Sequence, residues 1–153
     1  ETTREVALVE NNTAVYQCRW IHLKIANHHS HWLKNIQYMY LPVAHQEGKF
    51  MMNKNIQTKL TKNNLIACQY VNQNRELAKQ KFPYNPNGSI LDIAALTNRR
   101  GNVLAMMPHP ERALYKTQEP DWISDKRIRS RYTKSFEFAD GYKIFKNASD
   151  YFK

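Results

Sequence analysis

The stretch DIAALTNRRGNVLAMM, residues 92–107, constrains the fold more than any other part of this chain. Two short apolar segments are separated by Arg-Arg-Gly, and a connection this short is typical of a β-hairpin. Gly101 suits the turn because glycine adopts a positive φ at little steric cost. The sequence therefore predicts two antiparallel strands, the second of which leads directly into a Pro-His-Pro segment.

The motif MMPHPERAL, residues 106–114, places His109 between two prolines and Glu111 two residues behind it. Pro108 ends strand pairing because proline lacks an N–H, and Pro110 favours an extended conformation of His109. Side chains of residues i and i+2 point the same way in an extended segment, so His109 and Glu111 are predicted to share one side of the chain. This is the arrangement of a catalytic base and the acid that orients it. A surface ion pair is the alternative interpretation of so short a motif.

Strand patterns dominate the first half of the chain. The segment 15–25 combines β-branched and aromatic residues with a polar alternation, which predicts a half-buried strand paired with the segment 36–43. The apolar run 65–71 predicts a buried strand, and Ile56 and Leu60, four residues apart, predict a helix before it.

The second half begins with a run of turn residues, YNPNGS, at 84–89. The end of the chain has the spacing of an amphipathic helix, and we expect this helix to dock on the sheet. The residues predicted on its buried face are Phe138, Tyr142, Phe145, Ser149 and Phe152.

Length and composition indicate one packed domain, residues 1–153, since 42% of the residues are hydrophobic. The net charge of +10 suits an anionic partner such as nucleic acid, a phosphorylated substrate or an acidic protein surface. The basic residues are nevertheless spread along the chain, and a solvated face is the simpler interpretation of the densest run. That run consists of Lys126, Arg127, Arg129, Arg131 and Lys134.

Cys18 and Cys68 are the only cysteines, and neither belongs to a Cys-x-x-Cys pair or to a metal-binding spacing. Each lies in a strand-like or apolar segment, which predicts buried, inert thiols. No apolar run approaches the length of a membrane span, so we expect a cytoplasmic protein with no membrane partner.

Three histidines, His28, His29 and His31, lie close together and resemble a metal-binding cluster. No cysteine or carboxylate lies near them, so a polar hairpin loop is the preferred interpretation. We predict no metal site.

Four stretches of the chain occur in the order, and at about the spacing, of one enzyme family. They are LVENNTAVYQCRW, LPVAHQEGKF, YNPNGSILDIAALTNRRGNVLAMMPHPERAL and the tail GYKIFKNASDYF. On these stretches, which span nearly the whole chain, the sequence resembles the glutaminase subunits of phosphoribosylformylglycinamidine synthase. These are class I (triad) glutamine amidotransferases of purine biosynthesis. The third stretch, more than any single motif, makes the resemblance specific.

The resemblance implies a concrete activity. Enzymes like this hydrolyse glutamine with a Cys-His-Glu triad and pass the ammonia to a large synthase subunit, where ATP drives amidation of formylglycinamide ribonucleotide. It further implies a small third subunit as a partner, ATP and Mg²⁺ in the large subunit, and no cofactor in this chain. His109 falls on the family's catalytic histidine and Glu111 on its carboxylate. His109 would take the thiol proton and later protonate the leaving ammonia, while Glu111 fixes the tautomer of the ring.

The family's nucleophile lies on a Gly-x-Cys-x-Gly elbow between a strand and a helix, and this sequence has no such elbow. None of its four glycines neighbours a cysteine. Because the sharp turn holds the nucleophile in a strained geometry, neither Cys18 nor Cys68 simply replaces it. We therefore expect the chain to be the C-terminal part of the domain, without the half that carries the elbow, and to be inactive alone.

Other family positions define candidates for glutamine binding. The family commonly has His-Gly-Glu-Gly where this chain has His45-Gln46-Glu47-Gly48. We expect strain or a moved loop at Gln46, since glycine permits close approach or a positive φ. His45 and Glu47 are candidate neighbours of the active site, although a histidine that ends a strand is often only a capped polar residue.

A second group of candidates, Asn11, Asn12 and Thr13, matches a loop that in the family lies beside the nucleophile and holds the glutamine backbone. An Asx-rich turn between strands is the alternative interpretation. A glycine often occupies the position of Ala14 in the family.

The resemblance also implies the fold class, which is α/β. The chain would form the C-terminal part of a flavodoxin-like class I glutamine amidotransferase domain, with a mixed sheet, antiparallel hairpins and a C-terminal helix. Such a part alone exposes a sheet edge and an apolar face, so we expect poor solubility or self-association.

Two other functions stay open beside the glutaminase. One is a non-catalytic interaction module that keeps the surface for docking to the synthase. The other is a nucleic-acid binder, which only the charge supports, since the sequence has no recognisable aromatic platform or helix-turn-helix pattern. His109 and Glu111 favour the glutaminase, without nucleic acid as a partner.

Overall fold

The structure is a computed structural model that describes residues 4–27, 29–122, 124 and 137–153. The described residues form seven strands and two α-helices. The strands are β1 (Ala7–Glu10), β2 (Gln17–Ile25), β3 (Tyr38–His45), β4 (Glu47–Met51), β5 (Ile66–Val71), β6 (Ile93–Thr97) and β7 (Leu104–Met106). The helices are α1 (Lys54–Lys62) and α2 (Asp140–Tyr151).

Five strands form one sheet in the order β3-β2-β5-β6-β7, and each of its pairings is antiparallel. The predicted pairing of the two long segments is confirmed, with Trp20 opposite Pro42. The predicted hairpin is confirmed as well, with Leu96 opposite Ala105 and Gly101 at φ 70° in the turn. A second sheet, which the sequence did not predict, pairs β1 with β4.

The five-stranded sheet curls strongly. The N–H of Met107, just after β7, donates to the carbonyl of Ala94 in β6, and the N–H of His109 donates to the carbonyl of Pro42 in β3. Met107 and His109 are two residues apart, so their Cα atoms are separated by at most about 7 Å. Because β3 and β7 are the two ends of the strand order, the sheet must bend until these ends approach each other. The segment around His109 bridges them.

The main core packs against this sheet and includes the fully buried side chains of Leu23, Leu41 and Tyr70. A smaller cluster lies under α1 and includes Ile56 and Leu60, the pair that predicted this helix. Burial alternates along β2 as a strand with one covered face requires.

The two thiols differ because they occupy different sides of this sheet. Cys68 is buried, as predicted, and burial raises the pKa of its thiol far above the usual range. The prediction that Cys18 is buried is wrong, since the alternation of β2 turns its side chain to the exposed face.

Helix α2 docks on the sheet, as predicted, but with a different face. Gly141 and Ile144 are its buried residues, whereas Phe145 is 43% and Phe152 is 72% exposed. The predicted aromatic face is therefore wrong. The N–H of Gly141 donates to the carbonyl of Ala113 over 2.9 Å, so the helix approaches a loop through its smallest residue and its aromatic side chains turn outward.

The described residues contain no helix that is long and apolar enough to cross a membrane. They also contain no group of three histidine, cysteine or acidic side chains placed to hold a metal ion. His28 and the basic run that ends at Lys134 lie outside the described residues.

Candidate active site

His109 and Glu111 are in direct contact. The distance between Nδ1 of His109 and Oε1 of Glu111 is 2.6 Å, and the two side chains are 34% and 54% exposed. The predicted extended backbone is wrong from Pro110 onward, because Pro110–Arg112 form a short 3₁₀ helix. Proline is favoured at the first position of a helix, where its fixed φ is already suitable. One tight turn, rather than strand alternation, brings the two side chains together.

This contact fixes the tautomer of His109. An ionised carboxylate only accepts hydrogen bonds, so the proton between the two groups belongs to Nδ1 of His109. In the neutral ring Nε2 then has a free lone pair and acts as a base. The geometry is that of a general base with an orienting carboxylate, in a half-exposed position open to a reacting partner.

Two elements of the fold hold the backbone of this loop. Strand β3 accepts the N–H of His109 at the carbonyl of Pro42, over 2.8 Å. Helix α2 presses against the other side, where a Cβ at Gly141 would overlap the carbonyl oxygen of Pro110. The role of Gly141 was not predicted, although an isolated glycine inside a helical pattern is a signal of close packing.

Asp140 adds an anchor that was not predicted from the sequence either. Its carboxylate accepts the backbone N–H of Tyr40 in β3 over 2.9 Å and pairs with Lys143 over 2.7 Å. Helix α2 is thus tied to the same edge strand that holds His109.

A buried polar pair lies where β3 passes into β4. Asn11 is 3% and His45 is 7% exposed, and Oδ1 of Asn11 lies 3.1 Å from Nδ1 of His45. The amide nitrogen of Asn11 donates to the carbonyls of Val15 and His45. Burial lowers the pKa of His45, and a positive charge on His109 would lower it further.

The remaining glutamine-binding candidates lie around this pair. Asn12 is exposed and accepts a hydrogen bond from Lys49, and Thr13 accepts one from Gln17. Glu47 is exposed in β4. The structure thus brings Asn11 to His45 and His109 to Glu111, while Asn12, Thr13 and Glu47 make no direct side-chain hydrogen bond to either pair within the described part of the chain. Their role in binding glutamine stays a prediction.

The departures from the family pattern have different structural consequences. Gln46 is not among the described residues with positive φ, so the predicted backbone strain is absent there. Its carbonyl accepts the N–H of Asn11. Ala14 has φ 53°, a conformation that favours glycine. Gly48 is required for space, because a Cβ there would overlap the ring of His45.

The predicted turn at 84–89 is confirmed and extends into a buried polar loop. Asn85 accepts the N–H groups of Gly88 and Ser89. Asn87 donates to the carbonyl of Gly48 and to the hydroxyl of Tyr70. The N–H of Asn12 also donates to the carbonyl of Asn87. Three of the four stretches that carry the family resemblance therefore meet at this loop.

The buried carboxylate of Asp92 joins the two ends of this loop through hydrogen bonds. Asp92 is 4% exposed, and its carboxylate accepts the N–H groups of Lys79 and Gln80, each over 2.7 Å, and the amide of Asn85 over 2.9 Å. Lys79, Gln80, Leu91 and Asp92 all have positive φ. We call residues 78–92 the asparagine loop.

Comparison with known proteins identifies the family to which this chain belongs. The chain matches the CobB/CobQ-like glutamine amidotransferase domain over residues 1–152. The chain belongs to this family. The motifs that meet in the asparagine loop and around His109 are therefore parts of an amidotransferase domain.

Curated relatives of the chain are named phosphoribosylformylglycinamidine synthase subunit PurQ. One from Methanococcus maripaludis strain C5 is 36% identical over 95% of this chain and 55% of its own length. One from Dehalococcoides mccartyi is 33% identical over 95% of this chain and 52% of its own length. The chain spans about half the length of these relatives.

A solved structure confirms the fold class. The structure of PurLQS from Thermotoga maritima matches 98% of this chain and 54% of its own, with a TM-score of 0.63 and 23% identity. The described residues thus form part of a glutamine amidotransferase fold, with antiparallel hairpins and a C-terminal helix.

Proposed function

We propose that this chain is part of the glutaminase component of a phosphoribosylformylglycinamidine synthase. The observation that carries the proposal is the 2.6 Å contact between His109 and Glu111, which leaves Nε2 of His109 free to act as a base. Family membership and the names of the relatives support the same activity. The substrate is glutamine, and the product is ammonia for amidation of formylglycinamide ribonucleotide.

In the proposed reaction His109 removes the proton from a cysteine thiol, and the thiolate attacks the carboxamide carbon of glutamine. The imidazolium is stabilised by Glu111 and then gives its proton to the leaving ammonia. Water, activated by the same histidine, releases glutamate from the thioester. The exposure of the pair fits this role, because the base must reach a thiol and a substrate beyond the described loop.

The nucleophile is proposed to come from a cysteine outside this sequence. Burial raises the pKa of the Cys68 thiol, so this cysteine does not form the thiolate that acts as a nucleophile. Cys18 lies within β2, opposite Ala44 in the ladder, and not at a turn between a strand and a helix. Neither residue has the setting that activates a nucleophile in this class of enzyme.

The proposed partners are a large synthase subunit, which binds ATP and Mg²⁺, and a small third subunit. The similar structure from Thermotoga maritima is named PurLQS, and this name supports an assembly of this kind. The net charge of +10 favours an acidic docking surface on the partner.

The alternative function is a non-catalytic module that docks to the synthase. It is favoured by the placement of both cysteines away from an elbow. An assembly test separates the two functions, because docking alone does not require His109.

The test uses this chain assembled with a segment that carries the cysteine elbow and with the large subunit. His109→Ala should remove nearly all glutamine-dependent turnover, and Glu111→Gln should reduce it by about 10² to 10⁴, because the base remains but loses its orientation. Turnover driven by added ammonia should stay unchanged in both variants. His31→Ala, a histidine that stacks on Tyr151, is the matched control.

Two outcomes would contradict the proposal. Full glutamine-dependent turnover with His109→Ala would favour the docking module. A parallel loss of the ammonia-driven reaction would show that the pair supports the subunit interface rather than the chemistry.

A further inference from the structure

A groove lies between helix α2 and the segment 31–36. It consists of two cavities, one of about 450 Å³ and one of about 200 Å³. The two cavities are continuous, because they share the lining residues Lys34, Asn35, Asn147 and Asp150. Pockets that bind small ligands have volumes of about 300–1,000 Å³. The larger cavity therefore has the size that a small organic molecule requires.

Hydrogen bonds and ring stacking hold the two sides of this groove together. The side-chain amide of Asn147 in α2 donates to the carbonyls of Trp32 and Lys34, over 3.0 Å and 2.8 Å. In the smaller cavity the ring of Tyr151 stacks on that of His31, with centroids 4.1 Å apart. The groove is therefore a fixed feature of the folded chain.

One wall of the larger cavity is aromatic. Phe138 and Tyr142 line it, and their rings are parallel within 10° with centroids 3.7 Å apart. Tyr115 stacks on Phe138 as well, and Phe138 is still 47% exposed. Ile36 lines the same cavity. Because flat aromatic molecules stack favourably on such rings, this wall suits a planar aromatic ligand.

The charged side chains of the larger cavity favour an anionic ligand. Three lysines line it, Lys34, Lys143 and Lys146. Lys143 pairs with Asp140 over 2.7 Å. Lys146 pairs with Asp150 over 2.6 Å. Lys34 has no ion pair among the described residues, so its ammonium group is the one whose charge no carboxylate offsets. Lysine binds phosphate as a compact point charge.

We propose that this groove binds a mononucleotide, with its base on the rings of Phe138 and Tyr142 and its phosphate at Lys34. This site goes beyond the proposed glutaminase function, since neither His109 nor Glu111 lines the groove. Helix α2 forms one wall, and the same helix lies against the carbonyl of Pro110, next to His109. A bound nucleotide thus contacts the helix that supports the backbone of the base.

Nitrogen-15 NMR of this chain, titrated with AMP and with GMP, tests the inference. We expect saturable amide shifts confined to the groove, residues 31–36 and 138–151, with a Kd below about 1 mM for at least one nucleotide. Adenosine or guanosine alone, and inorganic phosphate alone, should each bind at least about tenfold more weakly, because each makes only one of the two contacts. Absence of saturable shifts with both nucleotides would overturn the inference. Phosphate that binds as tightly as the nucleotide would overturn it too, because the rings would then contribute nothing.

Two substitutions separate the contacts. Lys34→Gln should weaken nucleotide binding by about tenfold and leave nucleoside binding unchanged. Tyr142→Leu should weaken binding of both nucleotide and nucleoside by about fivefold or more. Phe138→Leu serves if Tyr142→Leu does not fold, and Lys62→Gln, at an exposed lysine of α1, is the matched control. Unchanged nucleotide affinity in Lys34→Gln and in the aromatic variant would overturn the inference and leave the glutaminase proposal standing.

Discussion

The asparagine loop, residues 78–92, differs from the loop at 108–112 that carries His109 and Glu111, which we call the His109 loop, in how its polar side chains are paired. In the asparagine loop Asp92 is 4% exposed, and its two oxygens accept three hydrogen bonds from protein donors. In the His109 loop the side chains of His109 and Glu111 are 34% and 54% exposed and contact each other over 2.6 Å. The first region is held by many internal partners, whereas in the second no described residue bonds to Nε2 of His109.

The difference shows how rigidity and reactivity are divided. A reactive base must leave a lone pair unused, and it then contributes little to stability. The backbone that carries His109 is fixed instead by Pro42 and by the close approach of Gly141. The asparagine loop in turn holds Gly48, against which the ring of His45 lies. Changes in the buried region should therefore affect stability, and changes in the exposed pair should affect turnover.

The largest effect on stability is expected for Asp92→Ala. Removal of the carboxylate leaves two backbone N–H groups and one amide buried without an acceptor, at a cost of about 3 kcal/mol or more. Urea denaturation measures the free energy of unfolding. The same substitution at Asp150, an exposed carboxylate that pairs with Lys146, should leave stability nearly unchanged. Equal effects at the two positions would contradict the contrast between the regions.

Gly141→Ala should destabilise by about 1–3 kcal/mol, because the added Cβ overlaps the carbonyl of Pro110 and packed sites tolerate extra atoms poorly. At an open helix position the same change stabilises by about 0.5–1 kcal/mol, so the sign is diagnostic. Ser149→Ala on the exposed side of α2 is the control. A more stable Gly141→Ala protein would show that the helix does not press on the His109 loop.

The pH dependence of stability should reveal the two histidines with lowered pKa. Burial lowers the pKa of His45 and of His22 below the ordinary histidine value of 6.5. Between the lowered pKa and 6.5 the unfolded chain binds more protons, so stability is full above about pH 6.5 and is lost as pH falls through the folded pKa. Urea midpoints from pH 7.5 to 5 should fall less steeply in His45→Gln and in His22→Gln. An unchanged slope in both variants would refute this origin.

The smallest effect is expected for Ala14→Gly, a gain of about 0.5–1 kcal/mol, because φ is 53° at this position. Ala148→Gly makes the same exchange inside α2 and should lose about 1 kcal/mol. Thermal denaturation of the two proteins should shift in opposite directions. A loss at both positions would show that Ala14 is not strained.

Local patterns in the sequence predicted much of this fold. Alternation predicted β2 and β3, and a short turn with Gly101 predicted the hairpin of β6 and β7. The contact between His109 and Glu111 was also predictable, because two residues in a stiff segment have few arrangements. The backbone around Pro110 was not, since proline serves both an extended segment and the first turn of a helix.

Long-range polar contacts escaped prediction. Asn11 and His45 are 34 residues apart, and no local pattern joins them. The buried face of helix α2 was mispredicted for a related reason. The spacing of its aromatic residues predicts an apolar face, but the face that docks is the one on which Gly141, without a side chain, approaches the carbonyl of Pro110. The elements follow from short-range periodicity, whereas the site depends on which distant segments meet.

The protonation pattern of His109 decides whether this residue is an oriented base. Long-range nitrogen-15 NMR of the ring, recorded on this chain near pH 8, reports which nitrogen carries the proton. We expect a proton on Nδ1, shared with Glu111, and a bare Nε2, with this preference weakened in Glu111→Gln. A proton on Nε2 of the unmodified chain, or a ring that does not respond to Glu111→Gln, would contradict the assignment.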